Sequence, residues 1–207
     1  MIWFILLIIF IFLRYFYFKL LTDEQKGHFY RLMNRVDRLC NDHDIPYFII
    51  CGTLLGSIRH KKMIPWDNDI DIGIMKKDLE KLKSLDLQSY GIESGNLDEN
   101  HIGKLFFPEH YENGEKFESV FVDVFVFEEV DGKIQYTSDF AKKTWPKEYF
   151  YPDDLFPLRP YKFGNMTVSG PANYEKYATR VWGDWTSYPW MTYLHVIFHP
   201  EKIEWIL

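Results

Sequence analysis

Cysteine is nearly absent from this chain of 207 residues, which has only Cys40 and Cys51. Two cysteines supply neither a disulfide framework nor a cysteine-based zinc site. Positive charge is not in excess either. Lysine and arginine number 24 against 30 aspartate and glutamate, a formal net charge of -6. Without a basic field no nucleic-acid partner is expected, and an anionic substrate would need cations brought to it. No internal repeat occurs, and no low-complexity tract apart from the first twenty-odd residues. The first glycine is Gly27, and no small-x-small pattern follows the opening apolar run, which argues against a cleaved signal peptide.

That apolar run is the first thing the sequence does have. Residues 2–13 are all apolar, and 15–18 and 20–21 continue past Arg14. A helix of roughly 20 residues crosses the hydrocarbon core of a bilayer, and Arg14 and Lys19 lie where long cationic side chains snorkel to the headgroups. The expected organisation is an N-terminal transmembrane anchor over 1–21 and one catalytic domain over 22–207, a single-pass membrane protein. Cations after the run favour a cytosolic body. Asn165, Met166 and Thr167 form a glycosylation triplet that matters only in a secretory lumen, so the side of the membrane stays open.

Beyond the run, Thr22 is placed to cap a helix with Asp23 and Glu24 in its first turn, and Phe29, Leu32, Met33, Val36, Leu39 and Cys40 follow at helical spacing. Residues 46–51 predict a short buried strand ending at Gly52, with Thr53 as cap of the next helix. Strict alternation over 67–74 predicts a half-buried strand, and 76–87 returns to helical spacing. A further strand is centred on 120–127, and the polar stretch 91–114 is expected to be loop-rich.

The alternation over 67–74 carries chemistry. A period of two puts Asp67, Asp69 and Asp71 on one face and Ile70, Ile72 and Ile74 on the other. Aspartate is disfavoured in strands, so this is a poor way to decorate a surface. Same-face neighbours are roughly 7 Å apart, so Asp69 and Asp71 repel unless a cation joins them. Hard oxygen donors point to Mg2+ or Mn2+ rather than zinc. A calcium loop starting at Asp67 is excluded, because Ile72 stands where glycine is needed and Asp78 where glutamate is. Asp123 is the lone charge in the apolar run 120–127 and must be paired or metal-bound if buried. Gly52 and Thr53 at a helix start offer backbone N–H groups to a phosphate, and Arg59 is the cation of the following cluster best shaped to meet one.

Residues 52–60 (GTLLGSIRH) followed by 64–72 (IPWDNDIDI) resemble the signature of the LicD family, which includes the fukutin and fukutin-related proteins. The likeness continues through 122–125 and, more weakly, through 156–159, 163–164 and 182–185. It implies an α/β (α+β) nucleotidyltransferase-type mixed sheet flanked by helices. It also implies transfer of a phospho-substituent, such as phosphocholine or an alditol phosphate, from a CDP-linked donor to a glycan hydroxyl. Asp69 and Asp71 would be the paired metal ligands, Asp123 the third carboxylate, and Gly52 and Thr53 would face the donor phosphates. Asn68 stands where the family commonly has aspartate; by strand parity it points to the apolar side. Two other functions fit the same residues: a nucleotidyltransferase moving an NMP to a small acceptor, and an inactive membrane-bound protein that binds a glycan or a partner. The aromatic tail of Trp182, Trp185, Tyr188, Trp190 and Tyr193 suits core packing better than stacking on a sugar. His195 and His199 fall in no metal spacing.

Overall fold

In the computed structural model of the chain, the residues described are 4, 6–8, 22–64, 67–108, 111–112, 115–116 and 120–186. The expected anchor over 1–21 lies almost entirely outside them. Among the described residues no helix is long and apolar enough to cross a membrane.

Helix α1 (Asp23–Asp42) starts at a closed capping box. The Gln25 amide donates to Thr22 Oγ1 while the Thr22 amide donates to Gln25 Oε1, so two N–H groups left over at the helix start are satisfied. Phe29, Leu32, Met33, Val36, Leu39 and Cys40 are buried along one stripe, as their spacing predicts. Each large apolar side chain so buried contributes about 1.5–3 kcal/mol.

The main sheet runs β1 (Tyr47–Ile49), β2 (Ile70–Met75), β7 (Phe121–Val130), β4 (Gly103–Phe106) and β3 (Glu93–Gly95), in that spatial order. Strands β2 and β7 are parallel, and the other neighbours are antiparallel. Strand β7 is long enough to change partner. Its first half pairs with β4, and its second half pairs with β8 (Lys133–Tyr136), which in turn pairs with β9 (Tyr149–Phe150). Two hairpins form separate two-stranded sheets, β5 (Tyr111–Glu112) with β6 (Glu115–Lys116), and β10 (Arg159–Phe163) with β11 (Met166–Gly170). The remaining helices are α2 (Cys51–His60), α3 (Lys76–Lys83), α4 (Asp139–Thr144), α5 (Pro152–Leu155) and α6 (Glu175–Trp182). Helix α1 packs on β7 and β11, and α3 on β2 and β7.

Several expectations change here. Strand β2 begins at Ile70, three residues later than the alternation suggests, and both of its faces are buried. It is an interior strand, so one face is filled by Ile70, Ile72 and Ile74 and the other is closed by rings. A Cβ at Gly73 would overlap the Phe48 ring and come within 2.9 Å of Phe127. Asn68, ahead of the strand, is exposed and does not point to the apolar side, because strand parity does not apply there. Helix α3 stops at Lys83 and a 3-10 turn, Leu87–Tyr90, follows. The stretch taken as loop-rich supplies β3 and β4 to the main sheet.

Candidate functional site

Parallel pairing of β2 with β7 sets Asp71 directly opposite Asp123, so the two carboxylates leave the same face of the sheet. Asp69 lies just before β2, outside the strand, and is free of the 7 Å strand spacing. As a result Asp69, Asp71 and Asp123 each offer a carboxylate oxygen within 4.8 Å of the others. Asp67 is buried beside them and hydrogen-bonds Asp69. Three hard oxygen donors, two on adjacent strands and one just ahead of β2, form a set that suits a small divalent cation.

The backbone of Asp71 is held from the β1–α2 elbow. Its amide donates to Thr53 Oγ1 at 2.8 Å, and its carbonyl accepts from the Ile50 amide at 3.2 Å. Thr53 is therefore not the helix cap. Ile50 takes that position without a side-chain bond, and the Thr53 hydroxyl, buried inside the first turn, fixes the strand that carries Asp71. Gly52 sits half-buried at the start of α2. Arg59 is in the last turn, about 10 Å further along the axis, so of the three candidates on α2 only Gly52 and Thr53 lie at its N-terminus.

Burial is the largest influence raising the pKa of Asp71, followed by the negative charges of Asp69, Asp123, Asp67 and Glu148. Asp67 is raised by burial and then by Asp69. Asp69 is raised by burial as well, with the Asp67 hydrogen bond and the Lys104 charge acting against the rise. The cluster is thus short of positive charge, and a cation would relieve it.

Two residues near the cluster carry no signal in the sequence. Lys104 is the register partner of Asp123 across β4 and β7. Its Nζ lies 2.6 Å from Asp123 Oδ1 and 3.3 Å from the centroid of the Phe121 ring. Strand β4 is four residues long, too short to establish a period. Glu148 is buried, and its Oε2 accepts a short hydrogen bond from the Tyr136 hydroxyl and one from Cys51 Sγ at 3.0 Å. Burial raises its pKa, while the bonds from Tyr136 and Cys51 oppose the rise. Cys51 has a φ of 48°, a left-handed conformation that only glycine takes without strain. The Glu148 bond holds its side chain at this elbow.

In the aromatic tail, Trp182 packs against the core, edge-on to Tyr177 at 5.5 Å. Trp185 meets Tyr174 edge-on at 5.4 Å. Tyr188, Trp190, Tyr193, His195 and His199 lie outside the described residues.

A mixed sheet flanked by helices, with Asp71 and Asp123 on two adjacent parallel strands and Asp69 converging on them from just ahead of β2, defines the class as a nucleotidyltransferase-type α/β domain. The family described as LicD/FKTN/FKRP, nucleotidyltransferase domain, matches residues 44–173, and the chain belongs to it. The matched span includes the three carboxylates, the β1–α2 elbow, Lys104 and Glu148. An uncharacterized protein of Rickettsia prowazekii is 30% identical over 176 residues, which are 84% of this chain and 59% of that protein. The ribitol 5-phosphate transferase FKRP of Homo sapiens is 29% identical over 140 residues, 64% of this chain and 26% of that protein. The lipopolysaccharide cholinephosphotransferase LicD of Haemophilus influenzae is 36% identical over 63 residues, 30% of this chain and 24% of that protein. The two relatives with names are phosphotransferases. The chain spans little more than half the length of the rickettsial relatives it matches.

Proposed function

We propose that this chain transfers a phospho-substituent, of the phosphocholine or alditol phosphate type, from a CDP-linked donor to a glycan hydroxyl, with Mg2+ or Mn2+ held by Asp69, Asp71 and Asp123. The observation that carries this reading is the convergence of those three carboxylates within 4.8 Å. All donors are oxygens, and the pKa values of Asp69 and Asp71 are raised, so the set fits a hard dication. Bound there, the cation supplies charge neutralisation for the donor diphosphate and for the entering and leaving oxygens. The protein's part is to bind, orient and move a proton. Asp123 is set to accept the proton of the attacking hydroxyl. The acceptor oxygen bonds to the outer phosphorus of the donor as the bond from that phosphorus to the bridging oxygen breaks, and CMP leaves. Gly52 offers its backbone N–H to the donor phosphates, and Arg59 is the guanidinium assigned to them. Residues 1–21 attach the domain to a membrane. The activities for which the human and Haemophilus relatives are named support this chemistry.

The test is to incubate the full chain in detergent with Mg2+ and, in turn, CDP-choline, CDP-ribitol and UDP- or GDP-linked sugars, using glycan acceptors, and to identify products by mass spectrometry. CMP release with a phosphate-linked glycan product is expected. Pyrophosphate release from a nucleoside triphosphate would instead establish NMP transfer. Absence of turnover together with absence of metal-dependent donor binding in calorimetry would leave only the inactive binding protein.

A further inference from the structure

We propose that Lys104 is a donor-binding residue that changes partner: it neutralises Asp123 before a divalent cation binds, and grips a phosphate oxygen of the donor afterwards. The inference rests on the metal and donor reading above. It starts from position. Lys104 is fixed opposite Asp123 by strand register, and its ammonium lies 2.6 Å from the Asp123 carboxylate. An oxygen that close to an ammonium already shares its lone pairs with a cation. A dication bound to Asp123, Asp71 and Asp69 would stand beside that ammonium, and like charges in a partly buried site repel. One of the two has to move.

The exposure of the side chains decides which. Asp123 is 13% exposed and Lys104 is 42% exposed. Asp123 sits on the central strand of the sheet, whereas the ammonium of Lys104 rides a flexible four-carbon stem at the solvent edge. Lys104 is the mobile member of the pair. Its destination is also restricted. The Phe121 ring, 3.3 Å from the ammonium, gives a cation–π hold that keeps Lys104 at the rim of the site after it leaves the carboxylate. Asp67 and Asp71 are buried on the inner side, so an anionic donor enters from the side where Lys104 is exposed. Charge balance agrees. Three carboxylates and one ammonium leave two negative charges, which one dication cancels. The diphosphate then brings negative charge that the released ammonium meets.

The experiment separates the two steps without measuring turnover. Mn2+ binding to the full chain in detergent is followed by electron paramagnetic resonance, and CDP binding at saturating Mn2+ by calorimetry. Both are measured for the wild type, Lys104→Met, Lys104→Gln and Lys104→Arg, with melting curves checking folding. Both uncharged variants should bind Mn2+ more tightly, by about threefold to tenfold, because the competing cation is gone. Their affinity for CDP should fall about tenfold or more, the loss of one charge-assisted contact. Lys104→Arg should restore most of it. Unchanged CDP affinity in the uncharged variants, or weaker Mn2+ binding in parallel with a lower melting midpoint, would overturn the proposal and make Lys104 a structural ion-pair partner. A wild-type chain that binds no Mn2+ would instead strike at the functional reading, and this proposal would fall with it. Should Lys104→Met fail to fold, the Gln and Arg pair carries the comparison.

Discussion

Asp71 and Glu148 are two buried carboxylates, and the charge of Glu148 adds to the rise in the pKa of Asp71, yet the fold treats them in opposite ways. Glu148 is closed off. Its charge is answered by two neutral donors, the Tyr136 hydroxyl and the Cys51 thiol, within a cage of rings in which Phe127 and Tyr136 lie 4.6 Å apart and Phe150 stacks on Tyr177 at 4.3 Å. Asp71 has its backbone tied down by Thr53 and Ile50, while its carboxylate faces other carboxylates. A site that satisfies an acid with internal hydrogen bonds has no need of a ligand. A site that rigidly positions an acid and sets it against other carboxylates is one where a cation would relieve the repulsion.

The sharpest way to break that contrast is to remove one charge from the open site. Asp71→Asn keeps the shape and, on this account, removes a metal ligand, so transfer should fall by at least about 10²- to 10³-fold, the scale for losing a single preorganised electrostatic contact. The same substitution relieves repulsion among Asp67, Asp69 and Asp123. The melting midpoint in a chelator should therefore hold or rise. Product formation and thermal melts measured on one preparation check both parts, and a folded, fully active Asp71→Asn protein would remove Asp71 from the mechanism.

The closed site predicts the converse. Tyr136→Phe leaves the buried Glu148 oxygen without one of its donors, which should cost about 1–3 kcal/mol of stability. A denaturant titration reads this as a lower midpoint at unchanged slope. Transfer per folded molecule should change far less than in Asp71→Asn. Equal losses of activity in the two variants would mean that Glu148 belongs to the reaction centre, and the contrast would collapse.

How much of this was written in the sequence differs between the two sites. The shared face of Asp71 and Asp123 is legible because isoleucines and valines at period two fix which way each strand faces, whereas Asp69 reaches them from ahead of β2. Helix α1 was legible from its cap and its stripe. The alternation overstates β2, because Asp67, Asn68 and Asp69 continue it while the chain there has left the sheet. Strand β4, and Lys104 with it, leaves no such mark, since four residues establish no period and only pairing with β7 makes them a strand. Glu148 was beyond reach for a different reason. Its partners Cys51 and Tyr136 lie 97 and 12 residues away and meet it only through tertiary packing. Thr53 bonds the Asp71 amide and not its own helix, a partner that the sequence hides because a helix-start threonine reads as a cap unless the neighbouring strand is known.

The smallest expected effect is a pH dependence, and its sign follows from the raised carboxylates. Asp71, Asp67, Asp69 and Glu148 all have pKa values above the usual range because burial disfavours their charge. In the unfolded chain such groups lose their protons near pH 4. The folded chain holds its protons to higher pH, so over that window it binds more protons than the unfolded chain and stability falls as pH rises. The stabilisation is fully present below about pH 4 and is lost as pH climbs through the folded values. Asp98 acts in the opposite direction, since the Asn100 amide lowers its pKa, but it is an exposed group on a loop. Melting midpoints in a chelator should therefore decline from mildly acidic to neutral pH. Asp71→Asn should show the shallower decline, by about 2–4 °C for each kcal/mol of linkage removed in a chain of this size. Added Mg2+ should flatten the wild-type curve and leave the Asp71→Asn curve nearly as it was. Identical slopes for the two proteins, or a midpoint that rises with pH across the window, would show that the open site does not carry the strain assigned to it.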